Sequence, residues 1–117
     1  MAALSQLVDN VVVHTFELTG PQTRVGRHPD NDICIDELSV SSRHALIEAV
    51  VNSYLNDTVD YYINDRDSTN GTFINDVRIQ DRQRLNSHDL VRIGWNLFRF
   101  VDEDESSLEK TAYILEE

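Results

Sequence analysis

The sequence predicts an all-β fold: a sandwich of about ten short, mostly antiparallel strands, followed by an acidic C-terminal tail. Short β-type runs recur along the chain, each closed by turn residues, and no stretch before the C-terminus holds a helical period. There are no internal repeats, and 117 residues make one domain. At that size roughly two thirds of the unfolded surface can be buried.

Val11-Val12-Val13 through Leu18 is the first expected strand. Its β-branched residues favour the pleated surface, and Thr19-Gly20-Pro21 ends it. Thr23 to Gly26 reads as a second, short strand, and Ile33 to Ile35 alternates inside an acidic stretch. His44 to Val51 is a longer apolar run, and Tyr61-Tyr62-Ile63 is another. Thr72-Phe73-Ile74 and Val77-Arg78-Ile79 flank Asn75-Asp76, a dipeptide suited to a tight hairpin because both residues tolerate positive φ. Leu90 to Ile93 and Leu97 to Val101 surround Gly94-Trp95-Asn96, a second hairpin, in which Trp95 serves packing or turn surface. From Asp102 the chain turns acidic and polar, and Leu108 to Glu117 suits either a short helix or a disordered end. The expected division is a sandwich over residues 1–101 and an acidic tail or linker over 102–117.

Charge narrows the partners. The net charge is −11, from 10 basic residues against 21 acidic ones, which leaves little from which to build a nucleic-acid or anionic-membrane surface. The tail holds more than half of that excess, so the sandwich itself is only mildly acidic. All the basic residues but Lys110 are Arg, whose rigid fork grips phosphate or carboxylate at two points. No apolar run is long enough for a transmembrane helix, and Met1 to Asn10 lacks the pattern of a signal peptide. A cytoplasmic protein is expected, or a nuclear one if the source is eukaryotic. Cys34 is the only cysteine, which excludes an internal disulfide and a cysteine zinc site. Within Ile33-Cys34-Ile35 it reads as a buried structural thiol.

Three polar segments stand out: Val25 to Asp32, Leu38 to Ala45 and Asp65 to Thr72. By composition they are loops, and loops on a rigid β scaffold are where recognition residues gather. Together they offer an arginine fork, several hydroxyls, a side-chain amide and backbone N–H groups freed by glycine. A phosphate monoester is all acceptor, with a charge near −2, and needs this donor set.

Gly26-Arg27, then Ser41-Ser42-Arg43-His44-Ala45, then Ser68-Thr69-Asn70-Gly71-Thr72 with Asn75, closing on Ile93-Gly94, resembles the forkhead-associated (FHA) domain family over roughly residues 10–101. The resemblance implies an eleven-stranded β-sandwich whose loops at one end bind phosphothreonine peptides. It implies that Arg27 binds the phosphate, that the Ser41 hydroxyl and Ser42 backbone N–H donate to it, and that Arg43 adds charge. Thr69 matches a position that can reach the phosphate, and Asn70 the residue that clamps the peptide main chain. Gly26, His44, Gly71 and Asn75 match positions that shape the loops. Asp67 and Asn75-Asp76 stand where the family often has Gly and Asn-Gly, which bears on turn geometry. Ser39 stands where some members carry an arginine that selects an acidic peptide residue, so a different preference is expected.

The remaining polar residues have plainer readings. Asp57, Asp60, Asp65 and Asp67 lack the ligand spacing of a calcium loop and read as solvated loop charge. His14, His28, His44 and His88 have no zinc spacing, and no serine carries a nucleophile-elbow signature. No metal, cofactor or enzymatic activity is expected. The expected partner is a phosphothreonine-containing protein or peptide, with a Ser/Thr kinase upstream. The alternatives are a phosphate-independent interaction domain or the N-terminal regulatory part of a larger enzyme. Thr111, with Ile114 three places on, adds a tail site that could join copies of the chain if phosphorylated.

Overall fold

The computed structural model describes residues 2–52, 54 and 58–103. The acidic tail beyond Glu103, including Thr111, and Asp57 lie outside the described residues. The described chain forms eleven strands: β1 Ala2–Val8, β2 Val11–Leu18, β3 Gln22–Gly26, β4 Ile33–Cys34, β5 Ala45–Asn52, β6 Thr58–Asp65, β7 Thr72–Ile74, β8 Val77–Arg78, β9 Arg82–Leu85, β10 Leu90–Ile93 and β11 Asn96–Asp102. They make a six-stranded sheet in the order β2-β1-β11-β10-β7-β8 and a five-stranded sheet in the order β4-β3-β5-β6-β9. All pairings are antiparallel except β3 with β4.

Alternation explains which side chains fill the space between the sheets. Phe98 and Phe100 point inward from β11, Leu4 from β1, Val91 and Ile93 from β10, and Ile47 and Ile63 from the other sheet; all are essentially inaccessible. Tyr61 stacks at a tilt on Phe100, with ring centroids 5.5 Å apart. Two expected hairpins close as the sequence requires. Asn75 and Asp76 both take positive φ, 50° and 69°, which is the two-residue turn whose twist matches paired strands. Ile93 pairs with Asn96 across Gly94 at φ 61° and Trp95, whose side chain stays 81 % exposed at the turn.

Several elements depart from expectation. β1 was not expected; it forms a hairpin with β2 through Asp9 and Asn10, again both at positive φ. β9 was not expected either, because three of its four residues are polar and only Leu85 faces the core. Cys34 is exposed rather than buried: Ile33 and Ile35 face inward, so the residue between them must face out. Asp60 and Asp65 are strand residues with partners, not solvated loop charges. Asp60 accepts from Asn52 at 3.1 Å and pairs with Arg84 at 3.2 Å. β11 runs through Asp102, which is buried and donates its N–H to Ser87 Oγ.

Because Leu4 of β1 is fully buried among the core residues, Leu4→Ala should destabilise the domain by about 2–5 kcal/mol. Urea unfolding measures it; a change within experimental error would mean that β1 is not part of the cooperative core.

Candidate functional site

The three loops flagged by sequence are β3–β4, β4–β5 and β6–β7, and they meet at one end of the sandwich. The contact between the first two is very close. An added Cβ at Gly26 would fall 2.2 Å from the carbonyl oxygen of Ser42, so only glycine fits where the β4–β5 loop crosses the end of β3. The crossing is held by backbone bonds from Arg27 N–H to Ser41 O at 2.9 Å and from His28 N–H to Ser42 O at 3.3 Å. Asn31, buried although it lies in a loop, donates Nδ2 to both His28 O and Ser42 O at 2.8 Å.

His44 ties the second loop to the third. Its ring is fully buried, with Nδ1 3.0 Å from the Ser41 N–H and Nε2 2.9 Å from the Gly71 carbonyl. A carbonyl only accepts and an N–H only donates, so the proton sits on Nε2 and Nδ1 accepts. Burial pushes the His44 pKa below its ordinary 6.5, against the opposing pull of the Gly71 carbonyl and Asp65. The third loop is organised by Asp65. Its carboxylate accepts from Ser68 N–H at 3.3 Å, Ser68 Oγ at 2.5 Å and Thr72 Oγ1 at 2.8 Å, and Ser68 Oγ in turn accepts from Gly71 N–H at 3.0 Å. Asp67 takes φ 55° and Gly71 φ 89°, so the turn conformation is adopted with Asp in place of Gly.

These contacts leave a particular set of donors. The Ser41 Oγ accepts from Thr69 N–H at 3.0 Å and keeps its own proton to give. The Ser42 N–H and hydroxyl have no partner among the described residues. Arg27 is only partly exposed, yet its guanidinium has no hydrogen-bond or ion-pair partner among the described residues. Its neighbours do not quench it: Asp32 is taken by the backbone N–H and guanidinium of Arg24, and that backbone bond first of all lowers the Asp32 pKa. Asp30 lies 3.8 Å from Arg43, which also reaches Asn31 at 3.4 Å.

Asn70 donates Nδ2 to the Ser39 carbonyl at 2.8 Å and is otherwise exposed, as is the Thr69 side chain. Ser39 itself is buried. Its hydroxyl bonds to Glu37 and accepts from the Trp95 N–H, so it serves the loop's base rather than its surface. Arg27, Ser41, Ser42, Thr69 and Asn70 are thus brought together, with Arg43 at the margin and Gly26, His44 and Gly71 beneath them. Asn75 lies apart, at the far end of β7, where it bonds to Asp89 and to the backbone of Leu90. Asn31 and Asp65 are organising residues that sequence reasoning missed; a polar loop residue gives no sign of whether its side chain turns inward.

A β-sandwich that collects hydrogen-bond donors on the loops at one end is a recognition domain. The model of the FHA domain family matches residues 23–94, and the chain belongs to that family. Among its relatives, the transcriptional regulatory protein EmbR of Mycobacterium tuberculosis is 35 % identical over 98 residues, which cover 84 % of this chain and 24 % of EmbR. The glycogen accumulation regulator GarA of Mycolicibacterium smegmatis is 37 % identical over 86 residues, 74 % of this chain and 48 % of GarA. The chain therefore spans a quarter to a half of these relatives. The structure of M. tuberculosis EmbR in complex with a low-affinity phosphopeptide superposes with a TM-score of 0.72 at 33 % identity, over 86 % of this chain and 24 % of that one. The FHA domain of the CT664 protein of Chlamydia trachomatis gives 0.74 at 27 % identity, over 86 % of this chain and 96 % of that one.

The neutral His44 makes a prediction about pH. A group whose pKa is lower in the folded state supports stability above its unfolded pKa and withdraws that support as pH falls through the window between the two. The domain should therefore lose stability as pH drops below about 6.5. His44→Asn should be less stable at neutral pH and should lack that part of the slope. Chemical denaturation of both proteins across this range checks it; parallel curves would rule out the buried neutral imidazole.

Proposed function

We propose that this chain is a non-catalytic module that binds phosphothreonine-containing segments of other proteins, downstream of a Ser/Thr kinase. The observation that carries the reading is the unpartnered Arg27 guanidinium beside the free Ser41 and Ser42 donors. Arginine is seldom held partly buried without a partner, because the loss of hydration has to be offset. In a chain of net charge −11, Arg24, Arg43, Arg82, Arg84 and Arg92 each lie within 4.0 Å of a carboxylate and Arg66, Arg78 and Arg99 are exposed to water, so a partly buried, unquenched Arg27 reads as a site awaiting an external anion.

In this reading Arg27 takes two phosphate oxygens with its fork, and the Ser41 hydroxyl and Ser42 N–H take others. Each charge-assisted hydrogen bond contributes roughly 1.5–3 kcal/mol that an unphosphorylated threonine cannot gain. Thr69 adds a hydroxyl, Asn70 holds the peptide main chain with the part of its amide not given to Ser39, and Arg43 adds charge at the rim. Residues 1–101 act as the binding unit and 102–117 as an acidic linker. The module works in the cytoplasm, and the activity it regulates belongs to other parts of a longer protein or to its partner.

Fluorescence anisotropy with a degenerate phosphothreonine peptide library tests this. The wild type should bind in the micromolar range, worth roughly −8 kcal/mol. Dephosphorylation should abolish binding, and Arg27→Ala or Ser41→Ala should weaken it at least about tenfold. Affinity should also fall below pH about 6, where the phosphate gains its second proton. Equal binding of phosphorylated and unphosphorylated peptides would leave the phosphate-independent interaction domain as the better account.

A further inference from the structure

We propose that the phosphorylated partner is also held by an apolar surface running from the peptide clamp to the free edge of β2, where an uncharged, extended segment flanking the phosphothreonine adds as a further strand. The inference rests on the phosphothreonine reading and concerns what lies beyond the phosphate.

The surface begins at Ser39. Its carbonyl holds Asn70 and its hydroxyl accepts from the Trp95 N–H at 2.9 Å, so the clamp and the β10–β11 turn share one anchor. On either side of that anchor stand Leu38 and Trp95, 88 % and 81 % exposed. Two residues past Trp95, Leu97 pairs with Leu7, and Leu7 pairs with Val12. Directly opposed residues in a sheet share a face, and because neighbouring Phe98 points into the core, this row points out. The row ends on β2, where Val11, Val12 and Val13 are all more than half exposed.

β2 is the edge of the six-stranded sheet and is eight residues long, whereas the other edges, β4, β8 and β9, have two, two and four. Proteins blunt long edges with lysine, proline, inward charge or a β-bulge; β2 has a register shift against β1 at Val13, between the Gln6–His14 and Leu7–Val12 pairs. From Val11 to Phe16 this edge carries no Lys, Arg, Asp, Glu or Pro. It offers a row of backbone donors and acceptors flanked by valines, the surface that strand addition uses. Two considerations choose the occupant. The surface is continuous with the peptide clamp, and β11 and β2 are only two strand spacings apart, about 10 Å, which roughly three extended residues span. The chain's acidity further selects against an acidic segment and for an uncharged, β-branched or aromatic one.

The test uses phosphothreonine peptides with about ten randomised residues on each side, long enough to cross to β2. Wild type should enrich apolar, β-branched or aromatic residues on one flank. The selected peptide should bind Val12→Lys about tenfold more weakly, while a peptide trimmed to the residues around the phosphothreonine binds both proteins alike. Val12 is 55 % exposed, so the lysine can be accommodated without disturbing the core. Phosphate-dependent binding with no flank preference, or with Val12→Lys unaffected, overturns this inference and leaves the phosphothreonine reading standing. Loss of phosphate dependence in the wild type overturns the reading itself. Sedimentation adds one more arm: a dimer that Val12→Lys splits, with peptide affinity unchanged, means that a second copy covers the edge and overturns the inference.

Discussion

Two loops that are 27 residues apart in sequence are joined through one buried imidazole. His44 can satisfy the Ser41 N–H and the Gly71 carbonyl together only as the neutral tautomer protonated on Nε2. Its backbone adds two more ties, accepting from Arg66 N–H and donating to Val25 O. The position of Ser41 relative to Thr69 and Asn70 depends on this ring, and so the separation between the second and third loops is set by a side chain buried beneath both. Rigid support for contact residues, built from satisfied buried polar groups, is what keeps a shallow loop surface selective.

The electrostatics follow the same logic of local satisfaction. Among the described residues Arg66, Arg78 and Arg99 are also without a carboxylate, but they are exposed to water; it is from the partly buried Arg27 that an acidic domain must keep carboxylates away. It does so by assigning each nearby acid elsewhere: Asp32 to Arg24, Asp30 to the margin beside Arg43, and Asp65 to the hydroxyls of its own loop. The overall negative charge contributes no long-range attraction for a phosphopeptide, so selectivity resides in short-range geometry rather than in encounter.

Much of this was legible in the chain. Strands rich in Val, Ile, Phe and Tyr, and hairpins marked by Asn75-Asp76 and Gly94, follow from backbone preference alone. β1 and β9 escaped because Ala2 to Gln6 and Arg82 to Arg84 have weak or polar β character; their pairing is decided by neighbouring strands, not by themselves. Cys34 was misread because a short apolar triplet does not declare its phase until one residue is known to face inward. The loop residues that match the family motif were visible as a set. The inward turn of Asn31, Ser39 and Asp65 was not, since it depends on which carbonyls and hydroxyls the other loops bring within reach.

The third loop also bears on how the protein ages. An Asn-Gly pair in a mobile chain is among the most labile sequences in proteins, because the glycine nitrogen can attack the asparagine side-chain carbonyl and release ammonia. Here both reacting groups are occupied: the Gly71 N–H is given to Ser68, and the Asn70 amide is held by Ser39. The bonds that aim Asn70 therefore also slow its conversion to aspartate, which would place a negative charge in the loop cluster that holds Ser41 and Arg27. Folding protects chemically the residue that it positions.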